Sequence, residues 1–363
     1  MKIKKIAIVQ RFITNYRVNF FNLLYDLLIK DNIELTVFAG KGHKSDKFKD
    51  GLEDIKCAER VKNYRFFGKS IYWQNIYKPL DKYDLVIVEQ ANSALLNYFL
   101  FFRRFYISSK PKLAFWGHGK TLTKNNSSIS NRIKKSLANK SDYWFGYTKN
   151  TKDILREFGV KSDKISIINN SIEMDIIDIK ERLKIRNNKK IVFCSRLYKD
   201  KKIPFVIDAC KIVKKTVTDL ELVIIGDGPD YNQIKDLTKK YNWIKLTGAL
   251  FGNDKKLILK NSQAMVQPSS LGLSILDAFE NGLPLITSTF NNHGPEIAYL
   301  KDKINGLQTK PNIDDFANAI IYILKNPLIL DKMSKAAIKT AEKYTIEKMA
   351  QNFANGVKEA IND

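Results

Sequence analysis

Ala264-Met-Val-Gln-Pro-Ser-Ser-Leu-Gly-Leu-Ser-Ile-Leu-Asp-Ala-Phe-Glu-Asn-Gly-Leu-Pro-Leu-Ile-Thr287 carries a strand, a helix and a second strand in one short span. The apolar run Ala264–Gln267 is too short for a helix and stops at Pro268, which has no amide hydrogen for a sheet ladder. Gly272 opens a helix over 273–281, Gly282 ends it ahead of Pro284, and Leu285–Thr287 resumes as a strand. A helix between two buried strands is the unit of a parallel sheet.

The same alternation extends both ways. Towards the carboxyl end the chain becomes helical, over about 313–325, 329–342 and 346–361. Upstream, strands are predicted at Lys190–Cys194, Glu221–Ile225 and Ile244–Leu246, with helices near 203–215, 230–241 and 254–261. Before these lies another series of strands: Lys5–Val9, Glu34–Ala39, Leu85–Glu89, Lys112–Trp116, Tyr143–Tyr147 and Ile165–Ile168. Helices at Tyr16–Ile29 and 92–106 fill two of its gaps. The charged stretch from Asp175 to Lys190 reads as a solvent-exposed connection. The expected fold class is α/β, with two Rossmann-like doubly wound domains facing across a cleft. Their bounds are 1–175 and 189–344, joined by a linker at 176–188, with a helix at 345–363 returning to the first domain. The polar loop Thr121–Asn131 follows a strand end and reads as a lid.

Composition narrows the function classes. Three scattered cysteines in 363 residues form neither a disulfide framework nor a zinc spacing, and the amino terminus lacks the apolar core of an export signal. The longest apolar stretch elsewhere, Ala94–Phe102, is too short to span a bilayer. A cytoplasmic chain is therefore expected. Its 62 Lys and Arg against 38 Asp and Glu leave a net charge of +24, and residues 101–150 hold eleven of those cations and one acid. Such an excess calls for nucleic acid, an anionic membrane surface or an anionic small substrate. No helix-turn-helix, zinc or single-strand signature accompanies it, so no nucleic acid is expected. Asn97-Tyr-Phe-Leu-Phe-Phe-Arg-Arg-Phe-Tyr106 mixes rings and cations as interfacial segments do. The alternative is a helix buried on the sheet with Arg103 and Arg104 snorkelling from its end.

Three strand ends carry chemistry. Cys194-Ser-Arg-Leu-Tyr-Lys-Asp-Lys201 puts Arg196 and Lys201 at the carboxyl edge of the second sheet, where they can hold a phosphate. Ile225-Gly226-Asp227-Gly228-Pro229 is a tight turn that lets backbone approach a ligand, without the third glycine of a dinucleotide fingerprint. The amides at Gly272, Leu273 and Ser274 start a helix, with its positive dipole end, and Asp277 lies further along it. No Asp-x-Asp occurs and the three histidines are far apart, so no metal is expected.

Together these residues resemble the nucleotide-sugar half of GT-B glycosyltransferases, family 4 (group 1), in order and spacing over about 175–345. The resemblance implies a nucleoside diphosphate sugar as donor, UDP favoured over GDP, with no cofactor and with retention of configuration. It assigns Arg196 and Lys201 to the donor diphosphate and the amides of Gly272–Ser274 to its distal phosphate, beside Gly226 and Gly228. The family's pair of glutamates, eight positions apart, falls on Ser269 and Asp277, giving a shorter acid at the ribose and no charge at the sugar. His293-Gly-Pro-Glu296 is similar to a bacterial subgroup and supplies two further donor candidates, His293 and Glu296. In the first domain, His118 within Phe115-Trp-Gly-His-Gly119 matches a histidine presented to the donor sugar. Arg11 and Arg17 are candidates for the cleft.

The function implied is glycosyl transfer to a hydroxyl of a lipid-linked or oligosaccharide acceptor, in polysaccharide, lipopolysaccharide or capsule biosynthesis. The enzyme would be peripheral on the inner face of the cytoplasmic membrane. A nucleotide-sugar epimerase of the same fold, or a degenerate nucleotide-binding scaffold, are the alternatives.

Overall fold

The computed structural model describes residues 3–42, 49–66, 71–108, 110–119, 128–184 and 188–362. The chain divides into two compact units, Met1–Glu173 with Thr345–Asp363, and Met174–Tyr344.

The first unit is built on a seven-stranded parallel sheet. Its strands are β1 (Lys4–Gln10), β2 (Ile33–Ala39), β3 (Ala58–Arg60), β6 (Leu85–Glu89), β7 (Lys112–Gly117), β8 (Tyr143–Gly146) and β9 (Ile165–Ile167). An antiparallel hairpin of β4 (Asn63–Phe66) and β5 (Ile71–Gln74) is inserted before β6. The order β3-β2-β1-β6-β7-β8-β9 changes direction between β1 and β6.

Strands covered on both faces must be apolar throughout, which is why Ile6-Ala-Ile-Val9 reads as an unbroken run. Ile6 and Ile8 face one core with Phe20, Phe21 and Leu24 of the helix Val18–Lys30. Ala7 and Val9 face the other, with Leu96 and Leu100 of the helix Leu95–Tyr106. The helix Ile346–Asn362 completes the first core. Phe353 stacks on Phe145 at 4.3 Å, and Gly356 approaches Ser166 so closely that a Cβ would lie 2.6 Å from its Oγ.

The second unit holds a six-stranded parallel sheet, ordered β12-β11-β10-β13-β14-β15. Its strands are β10 (Lys189–Cys194), β11 (Leu220–Ile225), β12 (Ile244–Gly248), β13 (Ala264–Val266), β14 (Leu285–Ser288) and β15 (Gly306–Thr309). The direction of winding changes between β10 and β13. The crossover helices are Ile203–Thr216, Tyr231–Thr238, Gly252–Lys260 and Ser274–Glu280.

The sequence pattern misses the edge strands β3 and β15 and the hairpin. Ala-Glu-Arg and Gly-Leu-Gln-Thr carry little apolar periodicity, because an edge strand has one ladder and less burial. It also misses the helices Ser128–Lys140 and Lys149–Glu157. The lid reading of Thr121–Asn131 falls largely outside the described residues, whose helix resumes at Ser128.

The connection is the main correction. Instead of a solvated linker, residues from Met174 onward pack as part of the second unit, and Ile179–Lys184 is helical. Arg182 is 3% exposed. Its guanidinium donates to the carbonyls of Gly282 (3.1 Å), Lys260 (3.2 Å), Ser262 (2.7 Å) and Gln263 (3.1 Å). One planar fork thus satisfies the carbonyl ends of two crossover helices, and burial lowers its pKa to about 10.

Candidate active site

Ligands of open α/β sheets bind at the carboxyl ends of the strands where the winding reverses. In the second unit this is where β10 runs into Ser195–Lys201 and β13 into Gln267–Ser270. A short 3-10 turn, Lys199–Lys201, swings Lys201 back over the sheet edge, and Lys202 takes the left-handed conformation (φ +53°) that lets the chain leave for the next helix. Lys201 is 6% exposed, and its Nζ donates to the Ser270 carbonyl at 2.6 Å. No carboxylate pairs with it among the described residues. Burial lowers its ammonium from 10.5 to about 8. An ammonium withdrawn from water without a counter-charge is costly to hold, and suits a site whose ligand is an anion. Arg196 stands on the same loop, exposed and without a hydrogen bond or ion pair among the described residues.

Ser270 is the hub below this cation. Its backbone is left-handed (φ +53°), its hydroxyl pairs with the Tyr198 phenol at 2.9 Å, and its carbonyl also accepts from Gln267 Nε2 at 3.2 Å. Gln267 Oε1 in turn accepts from Ser274 Oγ at 2.9 Å. The N–H groups of Gly272, Leu273 and Ser274 lie ahead of the first helical hydrogen bond, which Ile275 makes to Gly272. A Cβ at Gly272 would meet nothing within 4 Å, so this glycine borders open space.

The other two glycines act differently. A Cβ at Gly226 would sit 2.0 Å from the Ser195 carbonyl oxygen, and one at Gly228 2.1 Å from that of Leu197. They let the β11 turn close against the Arg196 loop, joined by Leu197 N–H to the Asp227 carbonyl (3.0 Å) and Asp230 N–H to that of Leu197 (3.2 Å). Their place is in shaping the cation-bearing loop.

Three donor candidates are turned inward. Ser269 is fully buried, and its hydroxyl lies 2.7 Å from the Asp200 carbonyl and 2.7 Å from Asn292 Oδ1. His293 accepts from Leu271 N–H through Nδ1 at 3.3 Å, which leaves its proton on Nε2 to donate to the Ser288 carbonyl at 2.7 Å. Burial holds its pKa below the usual value and keeps it neutral. Glu296 is 4% exposed within the turn Pro295–Tyr299. Ser269 and His293 thus brace the site floor.

Asp277 keeps an acid on the helix, but Lys255, which the sequence did not single out, pairs with it at 2.7 Å. Against the burial that opposes its charge, Asp277 holds the Lys255 ammonium above its ordinary value. One turn on, burial and then Asp277 raise Glu280 to about 8, and Glu280 Oε2 accepts from Asp175 N–H at 3.0 Å.

In the first unit, His118 follows β7 with its ring 4.4 Å from that of Tyr147. Arg17 donates to Asn170 Oδ1 at 2.6 Å and to the Ser171 carbonyl at 3.2 Å. Arg11 sits at the point where winding reverses between β1 and β6, and its N–H lies 3.5 Å from Glu89 Oε2. Burial raises the Glu89 carboxyl while Arg11 opposes that. The sequence missed Glu89, although as the polar residue closing an apolar strand it left a signal.

Residues 175–343 match the family model of glycosyl transferases group 1. An uncharacterised glycosyltransferase of Methanocaldococcus jannaschii is 26% identical over 330 residues, 82% of each chain. The poly(glycerol-phosphate) alpha-glucosyltransferase of Bacillus subtilis is 30% identical over 179 residues, 47% of this chain and 26% of that one. The Anabaena protein HepE, solved in complex with UDP-glucose, superposes with a TM-score of 0.69 at 16% identity, covering 98% of this chain and 99% of its own. Residues 175–343 thus carry a group 1 glycosyl transferase domain, and the chain has the fold of the GT-B glycosyltransferases.

Proposed function

We propose that the chain moves a sugar from a nucleoside diphosphate sugar, UDP in preference to GDP, to a hydroxyl of a lipid-linked or oligosaccharide acceptor at the cytoplasmic face of the membrane. The product would enter a surface polysaccharide. The observation that carries this reading is Lys201, buried and un-neutralised where the second sheet reverses, with Arg196 on the same loop. As the bond between the sugar and the diphosphate breaks, negative charge gathers on the leaving oxygens. Cations fixed beforehand stabilise that state more than the ground state. Lys201 and Arg196 take this role without a cofactor or metal. Retention of configuration follows from the family resemblance. The net charge of +24 suits an anionic acceptor, and the Bacillus subtilis relative is named for one.

Thermal shift and calorimetric titration with UDP, GDP and ADP, with chelator present, test the donor site. UDP binding in chelator, lost in Arg196→Ala, is the expected result. Equal UDP affinity in that variant overturns the assignment. The inward turn of Ser269 favours a second reading, a nucleotide-binding partner without transfer. Formation of a glycosylated product from UDP-sugar separates the two.

A further inference from the structure

The helix Leu95–Tyr106 has two unlike faces. Leu96, Asn97 and Leu100 are buried against the sheet, and Asn97 Nδ2 anchors the helix start to the Glu89 carbonyl at 2.8 Å. On the other side Leu95 (38% exposed), Phe99 (37%), Phe102 (54%) and Tyr106 (64%) follow one another at steps of four, three and four, with Ile107 (68%) next. That spacing lays them along a single stripe. Phe102 and Tyr106 stack at 5.2 Å, and Phe99 is braced by Tyr77 at 5.1 Å. So many large apolar side chains in one exposed row mark an interaction surface rather than scattered surface residues.

Charge identifies the partner. Arg103 pairs with Asp81, and Arg104 grips Asp142 through two hydrogen bonds of 2.8 and 2.7 Å, so the helix's own arginines are engaged by protein acids. The exposed cations beside the stripe are Lys78 and Lys82, on the segment whose Tyr77 and Asp81 hold the helix. Lys110 is exposed too, and lines a small cavity with Arg103 and Arg104. An exposed row of Phe, Tyr, Leu and Ile accompanied by exposed lysines has the composition of an interfacial membrane segment. A second copy docked on the same face would bring these lysines together within a chain of net charge +24.

We propose that this face docks on an anionic bilayer, with Leu95, Phe99, Phe102, Tyr106 and Ile107 entering the interface and Lys78, Lys82 and Lys110 meeting lipid phosphates. The proposal is independent of the donor site, and its test involves no nucleotide. The full chain is sedimented with phosphatidylcholine vesicles, with and without phosphatidylglycerol, over a range of salt. Binding that needs phosphatidylglycerol and weakens with salt is expected. The Phe102→Ser/Tyr106→Ser/Ile107→Ser variant should bind at least about ten-fold less, with an unchanged melting temperature because these side chains are exposed. Replacing Lys78, Lys82 and Lys110 with Gln should weaken binding and flatten its salt dependence.

Wild-type chain that ignores phosphatidylglycerol vesicles overturns the proposal, as does a triple variant that binds equally well. A triple variant that turns a dimer into a monomer without altering vesicle binding assigns the stripe to a second copy. Binding to the stripe by an acidic protein, in a chain that ignores vesicles, assigns it to that partner class.

Discussion

The Lys201 ammonium lies 2.6 Å from the Ser270 carbonyl oxygen, buried, with no carboxylate paired to it among the described residues. The pair ties the loop after β10 to the loop after β13 across the point where the sheet reverses. A carbonyl supplies partial charge only, so the cation is satisfied in full when an anion arrives.

Lys201→Met should therefore lose UDP binding and gain stability at neutral pH. Burial lowers the ammonium from 10.5 to about 8, so between these values the unfolded chain holds a proton that the folded chain lacks. Through this group stability rises with pH across that window, and below about pH 8 the buried charge costs on the order of 3 kcal/mol. UDP affinity should fall as pH rises through about 8. Melting curves and calorimetry at neutral and alkaline pH check both. A variant that melts lower and binds UDP normally would show that Lys201 is only a structural residue.

The three glycines should separate by phenotype. Gly226→Ala and Gly228→Ala drive a Cβ into carbonyl oxygens of the Arg196 loop and should lower the melting temperature or abolish soluble protein. Gly272→Ala meets open space, so it should melt like wild type while losing about ten-fold or more in UDP affinity. Normal UDP binding by Gly272→Ala would move the diphosphate away from this turn.

Arg182→Met should destabilise the second unit by on the order of 4 kcal/mol, because the carbonyls of Gly282, Lys260, Ser262 and Gln263 lose their shared donor in a dry site. Arg182→Lys should recover only part, since an ammonium lacks the planar fork. Urea unfolding of the full chain measures this. A midpoint equal to wild type in Arg182→Met would mean that water replaces the guanidinium.

Ser269→Glu restores the residue of the family pattern but should not improve transfer. The site is fully buried, and a carboxylate there would face the Asp200 carbonyl and Asn292 Oδ1. A stability loss of about 3 kcal/mol or more is expected, against roughly 1–2 kcal/mol for Ser269→Ala. A Ser269→Glu protein that stays folded and transfers faster would reverse this account of the floor.

What the sequence determined by itself is the plan of the two sheets and the location of the loops that bear Arg196, Lys201 and Gly272. Strands such as Ile6–Val9 and Ile191–Cys194 are apolar on both faces, as a covered parallel sheet requires, and the glycines and prolines at 226, 229 and 272 mark where strands give way to helices, those at 282 and 284 where a helix gives way to a strand. These are local signals, written within a few residues of one another. The tertiary structure alone decided which way the polar side chains turn. Ser269 and His293 look like ligands in the linear pattern, yet Asp200, Asn292, Leu271 and Ser288 claim them. Arg182 looks solvated until two helix ends converge on it, and Arg103 and Arg104 look lipid-facing until Asp81 and Asp142 arrive from other elements. A polar group's role depends on which partner reaches it first, and those partners lie on segments brought close only by the packing of the sheet.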